Sequence, residues 1–301
     1  MKILSIQEAY LKKFARQNLI KELQYDAAGH CVHIGKLSPG CEHCFIKVKA
    51  LNIPVGQACN LKCPYCPTKG DKLHRLTIRQ LKTALMRQIS LENFYMQKVS
   101  FTGQGEPLLY LDYVSKVMGL LHGLKKYIKK RPWYYLYTNG KLLNMDTILK
   151  LKELGFDEVR FHLGASNFSQ DVYKNMERSV KHFRAITVET PSWPPHRKKL
   201  FEMLPIIESI GVKHLNIGDI VVNKFNYKTI NRSLPDAEIY QCSEMYLYDN
   251  GLVYDIIEKA LEKGYSYSIL DCSCFVKSIQ HSYGKWVLYQ NVENLCTKYK
   301  L

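Results

Sequence analysis

The chain has 301 residues, 46% of them apolar and 23% charged, an ordinary globular composition that excludes collagen-like and low-complexity classes. Its formal net charge is +16, which suits nucleic acid, an acidic peptide, an anionic membrane surface or simply a solvated lysine-rich face. Basic residues are scattered, with small clusters at Lys125/Lys126, Lys129 to Arg131 and Arg197 to Lys199. The apolar runs fall far short of the roughly 20 residues of a membrane span. The basic start, MKILSIQEAYLKKFARQ, lacks the apolar stretch of a secretory signal, so a cytoplasmic protein with no membrane partner is expected. Ten cysteines in a reducing compartment point to metal ligands or catalytic thiols before disulfides.

Ser5-Ile-Gln-Glu8 has the form of a capping box. With apolar Ala9, Tyr10, Phe14 and Leu19 behind it, it predicts an amphipathic helix over about residues 6–23. A loop rich in Gly, His and Cys follows from Ala27 to Cys44. From Lys49 the chain alternates. KALNIPVG, KVSFTGQ, WYYLYTNG, EVRFHLGA, AITVETP and KHLNIGDIVV read as strands, with helical patterns between them. Asn144 is a candidate cap, and Gly211 ends the helix before the sixth strand. Such a series predicts α/β architecture with a parallel sheet or barrel and right-handed crossovers. The last stretch is less regular, with a helix near LVYDIIEKALEKG and a short strand, YSIL.

Strands buried on both faces usually read as continuous apolar runs. Here Ser100 and Thr102 share a face, as do Arg160 and His162, Thr187 and Glu189, and His214 and Asn216. A polar inner face suggests a barrel whose lumen is a site; the alternative is polar groups satisfied within the core.

Cys59, Cys63 and Cys66 lie within QACNLKCPYCPTKG. A structural zinc site usually needs four ligands, and a disulfide would leave one thiol over. Iron–sulfur clusters favour short multi-cysteine loops, and three thiolates on a four-iron cubane leave one iron open to a small molecule. The trio follows the first strand of the series, the end at which barrel active sites lie.

CNLKCPYC resembles the CxxxCxxC signature of the radical S-adenosylmethionine (radical SAM) superfamily, including the aromatic Tyr65 before the third cysteine. FTGQGEPLL resembles that family's GGEP motif, with Gln104 interposed to give GxGEP, and LNIGDIV loosely resembles its GxIxxG region. The resemblance covers about residues 48–222 and implies a partial (β/α)6 TIM-like barrel, preceded by a helix and Cys-containing loop over 1–47 and followed by a small C-terminal extension over 223–301. It implies that Cys59, Cys63 and Cys66 hold a [4Fe–4S] cluster whose open iron binds SAM. It further implies that Tyr65 shields the cluster or approaches the adenine, that Gly105 and Glu106 lie near the SAM amino group, and that Thr138 and Asn139 lie near its carboxylate or ribose. His162, Glu189 and Asn216 are candidates for lumen contacts with SAM or substrate. The implied chemistry is reductive cleavage of SAM to a 5′-deoxyadenosyl radical that takes hydrogen from a substrate, with a flavodoxin or ferredoxin as electron donor.

Cys31, Cys41, Cys44, Cys272 and Cys274 are candidates for an auxiliary iron–sulfur cluster or zinc; Cys242 and Cys296 complete the ten. GKLSPGCEHC and DCSCFVK resemble a group related to pyruvate formate-lyase activating enzymes, which implies glycyl-radical activation or peptide maturation of a protein or peptide. RNA modification is the alternative that the charge encourages. A non-catalytic zinc or nucleic-acid-binding protein built on the CEHC and CPYC pairs would leave Cys59 and the GxGEP motif unexplained.

Overall fold

In a computed structural model of the chain, residues 1–26, 31–42, 50–68, 75–90, 96–103, 105–128, 130–241 and 244–273 are described. The elements in order are β1 (Lys2–Leu4), α1 (Ile6–Gln17), β2 (Gln24–Asp26), β3 (Cys31–Ile34), β4 (Ala50–Pro54), α2 (Ile78–Ser90), β5 (Lys98–Thr102) and α3 (Leu111–Gly123). Then come β6 (Trp133–Thr138), α4 (Met145–Glu153), β7 (Glu158–Phe161), α5 (Gln170–Val180), β8 (Ala185–Pro191), α6 (Arg197–Ile210) and β9 (His214–Gly218). The remainder comprises β10 (Ile220–Val222), α7 (Tyr227–Ser233), β11 (Glu238–Gln241), β12 (Met245–Leu247), α8 (Leu252–Lys263) and β13 (Ser268–Cys272).

Strands β4 to β9 pair in sequence and in parallel, as the alternation of elements requires. The result is an open, curved α/β sheet of the partial TIM-barrel type; it does not close. Local signals hold where they were strongest. Ser5 and Glu8 exchange both capping-box hydrogen bonds, at 2.7 and 3.1 Å. Asn144 accepts from the Thr147 amide at 2.8 Å, and Gly211 ends α6 with a φ of 87° that other residues rarely adopt.

Four expectations change. The barrel does not end at Val222, because β13 adds a seventh parallel strand beside β9, with α8 as its crossover. YSIL therefore belongs to the main sheet. KHLNIGDIVV is not one strand: it breaks at Asp219, and β10 enters a separate sheet of order β1-β11-β12-β10. The loop from Ala27 to Cys44 contains β3, which pairs antiparallel with β13. The first helix stops at Gln17, and its apolar stripe faces outward, with Ile6, Tyr10, Leu11 and Phe14 exposed. Its buried side is Ala9, Lys13 and Gln17. Lys13 lies 3.5 Å from both Asp219 and Asp271, and the Gln17 amide donates to the Tyr254 hydroxyl at 2.7 Å. Once buried, these charges must be paired, and that pairing orients the helix against its hydrophobic pattern.

The segment from Gly35 to Glu42 forms the floor of the barrel. Ser38 donates to Glu158 at 2.6 Å, Lys98 donates to the Gly40 carbonyl at 2.8 Å, and Asn216 donates to the Cys41 sulfur at 3.3 Å. Lys98 and Glu158 open their strands, so this is the N-terminal end of the barrel. Gly40 admits no side chain, since a Cβ there would lie 2.2 Å from the Arg160 guanidinium. Among the described residues no helix is long and apolar enough to cross a membrane.

Candidate active site

The lumen is polar, as the strand alternation predicts, but its lower half is filled by its own partners. Glu158 accepts from Ser38, from the Trp133 indole at 2.7 Å, from Thr187 at 2.6 Å and from Arg160 at 2.8 Å. Burial pushes the Glu158 carboxyl up, yet Arg160 and these donors bring it below the usual carboxylate range. Arg160 also donates to Tyr137 and Glu189, both at 3.2 Å, and its guanidinium sits 4.2 Å above the Tyr135 ring. Asn216 reaches Glu189 at 3.1 Å. Glu189 and Asn216 are thus members of a satisfied network. Of the two, Glu189 is half-buried and Asn216 is buried. Ser100 is hydrogen-bonded to Asn52 in the same way.

The upper half is where the cysteine loop sits. It leaves β4, whose last residues run parallel to the end of β5, and the two following loops are joined main chain to main chain. Gly105 N donates to Gly56 O at 3.1 Å, and Glu106 N to Ala58 O at 2.8 Å. A Cβ on Gly105 would lie 2.1 Å from the Ala58 oxygen, so glycine is the condition for this approach. Pro107 starts a short 3-10 turn behind it.

The Glu106 carboxylate faces inward. It accepts from Thr138 Oγ1 and the Asn139 amide, both at 2.7 Å, and from the Leu108 amide at 3.1 Å. Burial raises its pKa, and the three donors oppose that shift. Its side chain therefore orders the YTNG turn. The Thr138 hydroxyl is likewise engaged, donating to Glu106 and accepting from the Gly140 amide at 3.0 Å. Asn139 continues the brace, donating to Asn60 at 2.7 Å and approaching the Cys59 sulfur at 3.9 Å.

Of the three thiols, Cys59 is exposed and Cys63 and Cys66 are half-buried. Leu61 N points at the Cys59 sulfur from 3.5 Å, and Cys66 meets Thr68 Oγ1 at 3.4 Å. Burial, followed by the neighbouring Cys66 and Cys59, pushes the Cys63 thiol up to about 12. Such a thiol needs a bound cation to ionise at neutral pH. Among the described residues no three His, Cys, Asp or Glu side chains converge as ligands of a single metal ion. The three sulfurs, together with amide and hydroxyl groups beside them, suit a multi-iron cluster better than one zinc.

Tyr65 is buried under the loop. Its ring stacks with His162 at 6.1 Å and packs on Trp193 at 5.5 Å, and its hydroxyl is buried without a hydrogen-bond partner. That orphan group lies beside Gly164, where a Cβ would come within 2.6 Å of it. Burial holds His162 down to about 4, so its imidazole is neutral. Sequence reasoning missed the supports of this loop. Asn226 donates to the Tyr65 carbonyl at 2.9 Å, Asn223 to the Pro67 carbonyl at 2.7 Å, and the Tyr110 hydroxyl accepts from the Ala58 amide at 2.7 Å. No local pattern marks them, because each acts across at least 52 positions.

The auxiliary site is not assembled among the described residues. Cys41 is buried on the lumen side of the floor against Asn216, whereas Cys272 ends β13 at the opposite, upper end, in register with Gly218. The Cys31 side chain, Cys44, Cys242, Cys274 and Cys296 lie outside the described residues.

Residues 53–190 match the sequence model of the radical SAM superfamily. A Methanocaldococcus jannaschii protein provisionally named a glycyl-radical enzyme activating enzyme is 26% identical over 208 residues, 65% of this chain and 54% of that protein. The tungsten-containing aldehyde ferredoxin oxidoreductase cofactor-modifying protein of Pyrococcus furiosus is 27% identical over 193 residues, 61% of this chain and 46% of that one. The chain spans about half the length of these curated relatives. Native anSMEcpe with bound AdoMet has a similar fold, with a TM-score of 0.54 at 18% identity over 73% of this chain and 63% of that one. Streptococcus suis SuiB bound to its precursor peptide SuiA gives 0.50 at 13% identity over 74% and 48%.

Proposed function

We propose, from the radical SAM superfamily domain that residues 53–190 constitute, that the chain is a radical SAM enzyme acting on a protein or peptide. The observation that carries this reading is the cysteine loop at the C-terminal end of β4, tied through main-chain hydrogen bonds to the GxGEP loop. Cys59, Cys63 and Cys66 are the residues that would hold a [4Fe–4S] cluster. When bound with S-adenosylmethionine, that cluster supplies a 5′-deoxyadenosyl radical for hydrogen abstraction from substrate.

The chain's own residues position and shield. Glu106 holds Thr138 and Asn139 in place, and Asn139 in turn steadies Cys59. Tyr65, His162 and Trp193 form an apolar wall that excludes water from the side of the loop facing β7 and β8. Because His162 stays neutral, it adds no positive charge there.

A protein or peptide substrate is supported by the names of two comparators: an activating enzyme acts on a protein, and SuiB is bound to a precursor peptide. The test is anaerobic reconstitution followed by reductant and SAM. The wild-type chain should turn brown and form 5′-deoxyadenosine, and the triple Ala variant of Cys59, Cys63 and Cys66 should form none. A colourless chain that retains stoichiometric zinc and is inert to SAM would overturn the proposal.

A further inference from the structure

We infer that the outward face of α1 seats a second copy of this chain, as an antiparallel helix pair about a two-fold axis. Half of the exposed large apolar side chains among the described residues lie between Ile3 and Leu19: these two, Ile6, Tyr10, Leu11 and Phe14. Elsewhere they stand singly or in twos, such as Tyr127, or Met145 with Leu149, which ordinary protein surfaces tolerate.

The face also carries no charge. At 100° per residue, Gln7, Tyr10, Leu11, Phe14, Ala15 and Asn18 fall within an arc of about 140°, and all six are exposed. The four charged residues of the helix lie off that arc, and each is engaged. Glu8 closes the capping box with Ser5, and Lys12 reaches Glu238 at 2.6 Å. Lys13 lies between Asp219 and Asp271, and Arg16 pairs with Asp255 and, at 3.0 Å, with Glu258. An ordinary surface helix does the reverse, with charges outward and apolar side chains toward the core. Turning the apolar face inward would strip the buried Lys13 of its carboxylates, so the orientation is fixed.

Such a face fits a copy of itself. Each copy carries +16, so two copies repel except across a surface that presents no cation. An acidic partner would find nothing in this arc to pair with. Two antiparallel α1 helices, with the axis passing between residues 12 and 13, set Leu11 against Phe14, Tyr10 against Ala15 and Gln7 against Asn18 of the other copy. Each contact then occurs twice, as two-fold symmetry requires. The large Tyr10 meets the small Ala15, and the carboxamides of Gln7 and Asn18, each both donor and acceptor, meet at the rim. Ile3 and Leu19 lie beyond opposite ends of the helix, and an antiparallel pair brings those ends together. The six apolar side chains are 38% to 68% exposed; at roughly 150–250 Å2 each they offer on the order of 600 Å2. Two copies would cover about 1,200 Å2, the low end of a stable interface. A bilayer fits less well, because the flanking Lys12 and Arg16 are already held by carboxylates and have no charge to spare for anionic headgroups.

The test is sedimentation equilibrium of the full chain under reductant, so that thiol crosslinks do not contribute. At about 100 µM, where a complex of micromolar Kd is mostly formed, wild type should have twice the mass of one chain. Leu11→Glu and Phe14→Lys should each raise the dimer Kd by ~100-fold or more, since symmetry places two charges in an apolar interface. Both positions face outward, so each variant should keep the wild-type melting temperature. Mixing the two variants should restore a dimer, because the register sets the new carboxylate beside the new ammonium. Leu149→Glu, on the exposed face of α4, should leave the wild-type Kd unchanged. A wild-type monomer at 100 µM would overturn the proposal, as would a dimer that survives either single variant. Variants that stay monomeric when mixed would overturn the antiparallel register. A monomer that binds phosphatidylglycerol vesicles, and loses them on Leu11→Glu, would give the face to a membrane instead.

Discussion

Replacing Gly105 by Ala tests whether the junction between the cysteine loop and the GxGEP loop is as tight as it looks. The added carbon would start 2.1 Å from the Ala58 oxygen and 2.4 Å from the Gln57 oxygen. A relaxed carbon–oxygen contact needs roughly 3.3 Å, so the two loops must part by about 1 Å. Parting stretches the two main-chain hydrogen bonds that join them, at 3.1 and 2.8 Å. At about 1 kcal/mol for each bond and about 1–3 kcal/mol for overpacking, the cost is about 3–5 kcal/mol. If the loops hold together, thermal unfolding should fall by roughly 10 °C. If they separate locally instead, the loss falls on iron loading after reconstitution. The control is Gly119→Ala in α3, where nothing lies within 4 Å of the new carbon. It should gain about 0.5–1 kcal/mol, because a helical glycine gives up more chain entropy than alanine. A Gly105→Ala variant with wild-type melting and wild-type iron content would refute the reasoning.

Asp249 offers a pH test. Burial raises its carboxyl from 3.8 to about 6, beside Asp219 and Asp271 and against the pull of Lys13. A raised folded pKa means stability that is present below pH 4 and lost as pH climbs through 6, worth up to about 3 kcal/mol. Asp249→Asn should therefore lie about 1 kcal/mol below wild type near pH 4, where one of the amides of Gly251 and Val253 loses its acceptor, and exceed it by about 2 kcal/mol at pH 7.5. A stability gap that does not vary between these pH values would contradict the assignment. Ser38→Ala removes the floor's hydrogen bond to Glu158 and should cost about 1.5–3 kcal/mol in urea unfolding; a cost under 0.5 kcal/mol would show that the floor is not anchored there.

The parts of the fold legible in the sequence are those specified locally. The strands β4 to β8, the Ser5 and Asn144 caps and the Gly211 stop depend on residues within a turn of one another, and each formed where the pattern placed it. The seventh strand was legible only as a strand. That YSIL lies parallel to β9 and antiparallel to β3 depends on pairings across the length of the chain. The outward face of α1 was misread for a physical reason. Periodicity says which residues share a face, but the direction of that face was decided by Lys13 meeting carboxylates more than 200 positions away. At the site, the cysteine spacing and the GxGEP loop could be found by eye. The inward turn of Glu106 could not, because a motif records a residue type and not where its oxygens point.

The antiparallel pairing of β3 with β13 bears on how the molecule comes into being. Residues 31–34 leave the ribosome well before their neighbour in the sheet, which is made more than 230 residues later. At ribosomal speeds of about 5–20 residues per second, that interval lasts on the order of 10–50 s, with one edge of β3 unpaired and the floor segment still waiting for Asn216 and Glu158. The last parallel strand is therefore also the latch that seats the first segment of the sheet. Loops closed over such separations form slowly, so folding of this chain should be limited by arrival of the C-terminal strand more than by assembly of the six units before it.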